Sequence, residues 1–357
     1  MICKKELCSG CYACYNICPK NAIYMKEDPF GFKYPFIDKS KCINCGLCRK
    51  VCQSLNKLEY NEVKECYAAY SKDEKIHSNS TSGGIATILS KEIIKKDGIV
   101  FGVTYDVKNK AFNHKRCTSF DDLKDIQGSK YVQSDMNNTY NLVREDLLNK
   151  RIVLFIGTPC QISGLKLFLA KEYDNLYLID LVCHGVSSKK ILDSEIGFKD
   201  YSKIRFRFNN KYQILAKSNN RYYQADLKNS PYLRFFLNSY SLRESCTNCF
   251  YSKSDRVSDI TIGDFWGLDK ISDFGNDRNK GVSLVLINTQ KGKNTFNEIC
   301  KNIEFEKHDY KIARIKNQPL NRSIQNRTKL TIFRISYKII GLRNTYKLFK
   351  ILKKGEM

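Results

Sequence analysis

Cys8-Ser9-Gly10-Cys11-Tyr12-Ala13-Cys14-Tyr15-Asn16-Ile17-Cys18-Pro19 repeats its cysteine spacing at Cys42-Ile43-Asn44-Cys45-Gly46-Leu47-Cys48-Arg49-Lys50-Val51-Cys52, 34 residues on from Cys8 to Cys42. Each copy reads C-x2-C-x2-C-x3-C. Three thiols on one tight loop cannot close a four-iron, four-sulfide cage, so the fourth crosses over from the other copy. On that logic Cys8, Cys11, Cys14 and Cys52 hold one [4Fe–4S] cluster, and Cys42, Cys45, Cys48 and Cys18 hold a second. Small or permissive residues (Ser9-Gly10, Asn44, Gly46) stand where the backbone must bend toward the cage sulfurs. Gln53 replaces the proline that follows Cys18 in the first copy, which touches the turn rather than a ligand. Zinc also takes four cysteines, but two matched repeats weigh against it. The pattern reads as electron transfer.

The run resembles that of bacterial two-cluster ferredoxins, and it places a ferredoxin-like 2[4Fe–4S] domain at residues 1–56. Within it, Asp28-Pro29-Phe30-Gly31-Phe32 reads as a turn between short strands. Residues 57–66 read as a linker, residues 67–310 as the larger domain and residues 311–357 as a basic helical segment.

At 357 residues the chain can bury a substantial core. Its sixteen cysteines are not those of a secreted disulfide scaffold, since Met1-Ile2-Cys3-Lys4-Lys5 opens no apolar leader. No apolar run reaches membrane-span length. A cytoplasmic location in an anaerobe is expected. The net charge is +24, and residues 301–357 hold fifteen Lys/Arg against four Asp/Glu. That balance suits an anionic small-molecule cofactor, an acidic redox protein or anionic lipid. No nucleic-acid-binding signature is present, and no nucleic acid is expected. The C-terminal run from Ile332 to Lys354 mixes aliphatics and lysines at near-helical spacing. It can pack on its own domain or make peripheral contact with a membrane.

In the larger domain, Ser78-Asn79-Ser80-Thr81-Ser82-Gly83-Gly84 leads into a helix whose apolar face is Ile85, Ile88, Leu89, Ile93 and Ile94. Free amides at such a start can dock a phosphate, or the loop is an ordinary flexible cap. Gly128-Ser129-Lys130-Tyr131 can hold a pyrophosphate or a flavin oxygen, or it is a solvated loop before a strand. Ile152–Ile156, then Gly157-Thr158-Pro159-Cys160-Gln161 and a helix, then Leu176–Val182 ending at Cys183-His184-Gly185, form a βαβ unit with parallel strands. Both cysteines fall beyond carboxyl ends of neighbouring strands, where open α/β sheets bind ligands. Cys160 lies at a helix start, which is expected to lower its thiol pKa. Cys246-x2-Cys249 supplies two more thiols, giving a four-cysteine site for a third cubane or for zinc. Cys3, Cys66, Cys117 and Cys300 match no ligand spacing, and His184 is either a proton or sulfur partner or a structural cap.

Ser80-Thr81-Ser82-Gly83-Gly84, Gly128-Ser129-Lys130-Tyr131, Gly157-Thr158-Pro159-Cys160-Gln161, Cys183-His184-Gly185, Cys246-Thr247-Asn248-Cys249, Asp259-Ile260-Thr261-Ile262-Gly263-Asp264-Phe265-Trp266-Gly267 and Lys280-Gly281-Val282-Ser283 occur in this order. Together they resemble the family of coenzyme F420 hydrogenase/dehydrogenase beta subunits, with Ser187 standing where that family would have proline. The resemblance implies a mixed fold (α+β to α/β), with a larger flavin-binding domain built on a partly parallel sheet. It implies FAD contacts at Ser80, Thr81, Ser82, Gly83, Gly84, Gly128, Ser129, Lys130 and Tyr131. It also implies a third [4Fe–4S] cluster on Cys160, Cys183, Cys246 and Cys249. Cubanes pass single electrons and a deazaflavin takes a hydride, so a flavin that handles both belongs between them. The expected activity is electron transfer between ferredoxin-type clusters and, through FAD, coenzyme F420 or a similar two-electron acceptor. Hydrogenase or dehydrogenase subunits, or another redox protein, are the expected partners. The other classes are a ferredoxin-dependent reductase of a different organic substrate, for example in surface polysaccharide synthesis, and an electron-relay subunit without catalysis.

Overall fold

The hairpin at the turn Asp28–Phe32 forms as expected: β1 (Ile23–Glu27) pairs antiparallel with β2 (Lys33–Ile37). The Asp28 carboxylate closes the turn by accepting the amides of Phe30 and Phe32, both at 3.0 Å. This computed structural model describes residues 2–275, 280–324 and 327–355, and for 352–355 only the backbone. Short helices Ala13–Ile17 and Leu47–Lys50 each carry the third thiol of their repeat, Cys14 and Cys48. Each starts on a left-handed residue, Tyr12 or Gly46, which bends the loop sharply.

The large sheet takes β3 (Glu65–Ser71), β4 (Ile99–Asp106), β5 (Ala111–Cys117), β6 (Val153–Gly157) and β7 (Leu176–Leu181). A separate antiparallel sheet of β8 (Lys203–Phe208), β9 (Lys211–Lys217) and β10 (Tyr222–Asp226) interrupts the chain. The large sheet then completes with β11 (Ile260–Asp264), β12 (Ser283–Ile287) and β13 (Ile303–Lys307). Its order is β13-β3-β12-β11-β7-β6-β4-β5. The four central strands β11, β7, β6 and β4 are parallel to one another, and the flanking pairs are antiparallel. Val153, Leu154 and Phe155 are all buried, as a strand covered on both faces requires.

The N-terminal module shares the core of the larger unit. Tyr12, Ala13 and Val51 pack in one cluster with Tyr140, Phe155, Ile162 and Leu165. Asp135 accepts from the Tyr12 hydroxyl (2.8 Å) and pairs with Lys33 (2.5 Å). Asn16 donates to the Asn137 carbonyl (2.7 Å). Gly164, on the helix Pro159–Leu169, makes the closest approach possible: a Cβ there would lie 2.9 Å from Cys11 Sγ.

Candidate metal centres and cofactor cleft

Three sets of thiols lie in series. Cys18, Cys42, Cys45 and Cys48 line one cavity of about 750 Å³ on the module, with Cys45 exposed. The thiols of Cys45 and Cys18 add to burial in pushing Cys48 upward. Cys8, Cys11, Cys14 and Cys52 gather deeper: burial, then the neighbouring Cys11, Cys8 and Cys52, raise Cys14 well above the usual thiol value. Cys3, which matches no spacing, rests its thiol against those of Cys8 and Cys52. That contact draws Cys8 down against its burial, with help from the Arg243 guanidinium.

Cys160, Cys183, Cys246 and Cys249 line a second cavity of about 780 Å³ together with Ser9, Gln53 and Arg243. β6 and β7 deliver the first two at their carboxyl ends, as parallel pairing demands. The expected lowering of the Cys160 pKa does not occur. Burial pushes it up to about 11, against the pull of the Thr158 hydroxyl 3.2 Å away. Cys246 rises to about 12 for the same reason. Desolvation outweighs the helix start, so these thiols stay protonated until a metal displaces the proton. Among the described residues no three His, Cys, Asp or Glu side chains converge tightly enough for a single ion.

Two side chains invisible to motif reading join this site to the module. Arg243 is 1% exposed. Its Nε donates to the Cys8 carbonyl (2.7 Å), Nη1 to Gln133 Oε1 (2.9 Å), and Nη2 to the Lys33 carbonyl (2.9 Å) and toward Cys8 Sγ (3.8 Å). Gln53, expected to affect only a turn, donates to the Ser9 hydroxyl (2.9 Å) and accepts from Tyr251 (2.5 Å), two residues past Cys249. A third clamp, Arg256, is buried against Asp180 (2.9 Å) while donating to the carbonyls of Tyr251 and Leu181. It thereby ties the Cys246–Cys249 loop to the end of β7.

Beyond Cys183-His184-Gly185-Val186, which wall both spaces, opens a long cleft. Ser80, Thr81, Ser82, Gly84, Gly128, Ser129, Lys130 and Tyr131 line it. Gly83 lies behind them: a Cβ there would stand 2.1 Å from the Ala69 carbonyl, and its amide donates to Ser283 Oγ (2.9 Å). The two loops meet where the Ser129 amide donates to Thr81 Oγ1 (2.7 Å). The helix Ile85–Lys95 begins after left-handed Gly84 with no side-chain cap, leaving its first amides for a ligand. Ser82 Oγ is buried with no partner. Lys130 donates to the carbonyls of Asp125 and Gln127, and burial draws its pKa down to about 7. Tyr131 stacks on Phe236 (5.1 Å between ring centroids). His184 is tied to the Phe236 carbonyl and Ser239 hydroxyl, both at 3.1 Å, the structural of its two expected roles. At the mouth, Trp266 lies near-parallel to Tyr212 and Lys316 brings a cation. Tyr212 belongs to β9 and carried no sequence signal.

Thiol cages set against the carboxyl edge of a parallel sheet, with a long cleft behind them, define an iron–sulfur oxidoreductase. Residues 7–55 match a 4Fe-4S dicluster domain, residues 66–140 the N-terminal part and residues 150–312 the C-terminal part of the coenzyme F420 hydrogenase/dehydrogenase beta subunit. The chain belongs to that family of beta subunits. A subunit of the F(420)H(2) dehydrogenase of Methanosarcina mazei is 24% identical, over 84% of this chain and 94% of the relative. Coenzyme F420-dependent sulfite reductase of Methanocaldococcus jannaschii is 22% identical over 90% of this chain, which spans 50% of that protein. A chain of the F420-reducing [NiFe] hydrogenase complex from Methanosarcina barkeri shares the fold, with a TM-score of 0.50 at 16% identity, covering 76% of this chain and 90% of that one.

Proposed function

We propose that this protein moves electrons from an external donor through three [4Fe–4S] clusters to FAD, and on to coenzyme F420 or a similar two-electron acceptor. Cys18, Cys42, Cys45 and Cys48 hold the outermost cluster, Cys8, Cys11, Cys14 and Cys52 the middle one, and Cys160, Cys183, Cys246 and Cys249 the innermost. The observation that carries the reading is the common wall Cys183–Val186 between the third thiol set and the cleft. The middle set supports it too, since the Cys160 thiol is close enough to raise that of Cys11. Thiols spread around a cavity rather than drawn to one point suit a cubane better than zinc.

The cleft runs from the Ser80–Gly84 loop past Tyr131 to Trp266 and Lys316, a lining that suits a dinucleotide along its length and a second ligand at its mouth. When bound, a flavin accepts electrons singly and passes them on in pairs. The chain's own part is to bind and orient. The uncapped helix start and the Ser80–Gly84 loop receive phosphate, and orphaned Ser82 Oγ gains a partner. Lys130 regains its charge beside an anion. Trp266, Tyr212 and Lys316 at the mouth suit a planar acceptor ring carrying a negative tail. By analogy with its relatives, which include parts of larger complexes, the partner is a hydrogenase or dehydrogenase subunit or a ferredoxin.

Anaerobically purified protein should contain about twelve iron atoms, from three four-iron cages, and one FAD released on denaturation. With reduced ferredoxin it should bleach the absorbance of the deazaflavin F420. Iron without flavin would overturn the catalytic reading and leave a relay. Flavin reduction without bleaching would move the acceptor to another organic substrate.

A further inference from the structure

The C-terminal helix Arg327–Gly355 is kinked at Gly341, whose φ of 73° and ψ of 175° break the helical run. The kink lets both halves turn one face inward. Leu330 and Phe333 from the first half, and Leu342, Thr345 and Phe349 from the second, are buried. Phe333 and Phe349 meet Phe235 edge-on at 4.8 and 5.3 Å. Packing on the protein's own domain therefore accounts for one face of this helix and only one.

At about 100° per residue, Ile335 and Ile339 lie roughly opposite Leu330, and Ile351 lies opposite Leu342. They are 57%, 74% and 67% exposed, with Ile332 beside them at 36%. Lys338 stands between the first two, and Arg327, Arg343, Lys347 and Lys350 are exposed along the flanks, the last three bordering a hollow beside Glu195 and Tyr223. The helix holds nine Lys/Arg and no Asp/Glu. Among the described residues, Arg334, bonded to Glu244 (3.0 Å), is the one helix cation in an ion pair.

We propose that this outward face docks the protein on the surface of an anionic lipid bilayer. The helix does not cross it: no described helix is long and apolar enough. Ile332, Ile335 and Ile339 stand at i, i+3 and i+7 and form a short apolar stripe with Lys338 beside it, the pattern of a basic amphipathic helix lying in an anionic interface. A bilayer accepts such side chains one at a time, and its charge is spread along the whole helix. Arg334 also lies over the ring of Phe30, 5.1 Å away in the β1–β2 turn, so docking holds the N-terminal module close to the membrane plane.

The test is flotation of the full-length, iron-loaded protein with phosphatidylcholine vesicles, alone or with about 30% phosphatidylglycerol. Co-flotation with the anionic vesicles alone is expected, and it should weaken as salt rises. The double variant Ile335→Asp, Ile339→Asp should lower the partition coefficient by about tenfold or more. Lys338→Glu should lower it by roughly fivefold or more. All three side chains are exposed, so iron content should match the parent. Equal binding to neutral vesicles, binding to neither, or parent-like binding by the double variant would overturn the proposal. So would conversion of a dimer to a monomer by the same variant in sedimentation, which would make this face a contact between copies.

Discussion

Arg243→Met removes a buried cation whose Nη2 lies 3.8 Å from Cys8 Sγ. At that separation a unit charge pair is worth about 4 kcal/mol with an effective dielectric near 20. An electron added to the proposed middle cage is shared over the whole cage, so roughly a quarter of that interaction, about 1 kcal/mol, is lost. At 59 mV per tenfold for one electron this is a shift of about 50 mV. The direction is negative, because the departed cation favoured the reduced cage. Arg243→Lys keeps the charge and should shift far less. The truncation also leaves the Cys8 and Lys33 carbonyls and Gln133 Oε1 without this donor, at about 1–3 kcal/mol each. An anaerobic redox titration followed by electron paramagnetic resonance resolves the cages. An unmoved or more positive potential in fully iron-loaded Arg243→Met would refute the reasoning, as would an equal shift in Arg243→Lys.

Cys160→Ala should lower the iron content from about twelve to about eight atoms per chain, and unchanged iron would remove the third site. Lys130 has a pKa of about 7 in the fold against 10.5 as a free side chain. Since the unfolded chain binds the extra proton, the stability of flavin-free protein should rise with pH from about 7 toward 10. Lys130→Met should flatten that rise in thermal melts. FAD binding at pH 8 should take up close to one proton, measured by calorimetry in buffers of different ionisation enthalpy, and the same variant should abolish the uptake. Arg256→Ala strands buried Asp180 and should cost about 3–5 kcal/mol in denaturant unfolding, with early loss of the Cys249 side of the cage.

The twelve cysteines were legible because their signal is local: fixed spacings, or positions just past apolar strands. The same holds for the loop at Gly128, whereas Gly83, expected to touch a cofactor, lies behind the cleft wall against the Ala69 carbonyl. Arg243 had no such signal. Three residues before Cys246, it reads as a solvated charge until the fold brings Cys8, Lys33 and Gln133 around it. Gln53 and Tyr212 likewise acquire their roles from partners far along the chain. Cys160 shows the limit from the other side. Its helix position was read correctly, yet its acidity follows from burial, which only tertiary packing sets. The C-terminal run from Ile332 offered two readings, and the kink at Gly341 lets one helix present two apolar faces.

Arg243, Asp135 and the shared core bolt the N-terminal module in place, so it cannot act as a swinging shuttle that loads at one station and unloads at another. It is a fixed wire. Hand-over within the chain should then be indifferent to solvent viscosity, and only the arrival of the donor, at the exposed end marked by Cys45, should slow in a thicker medium.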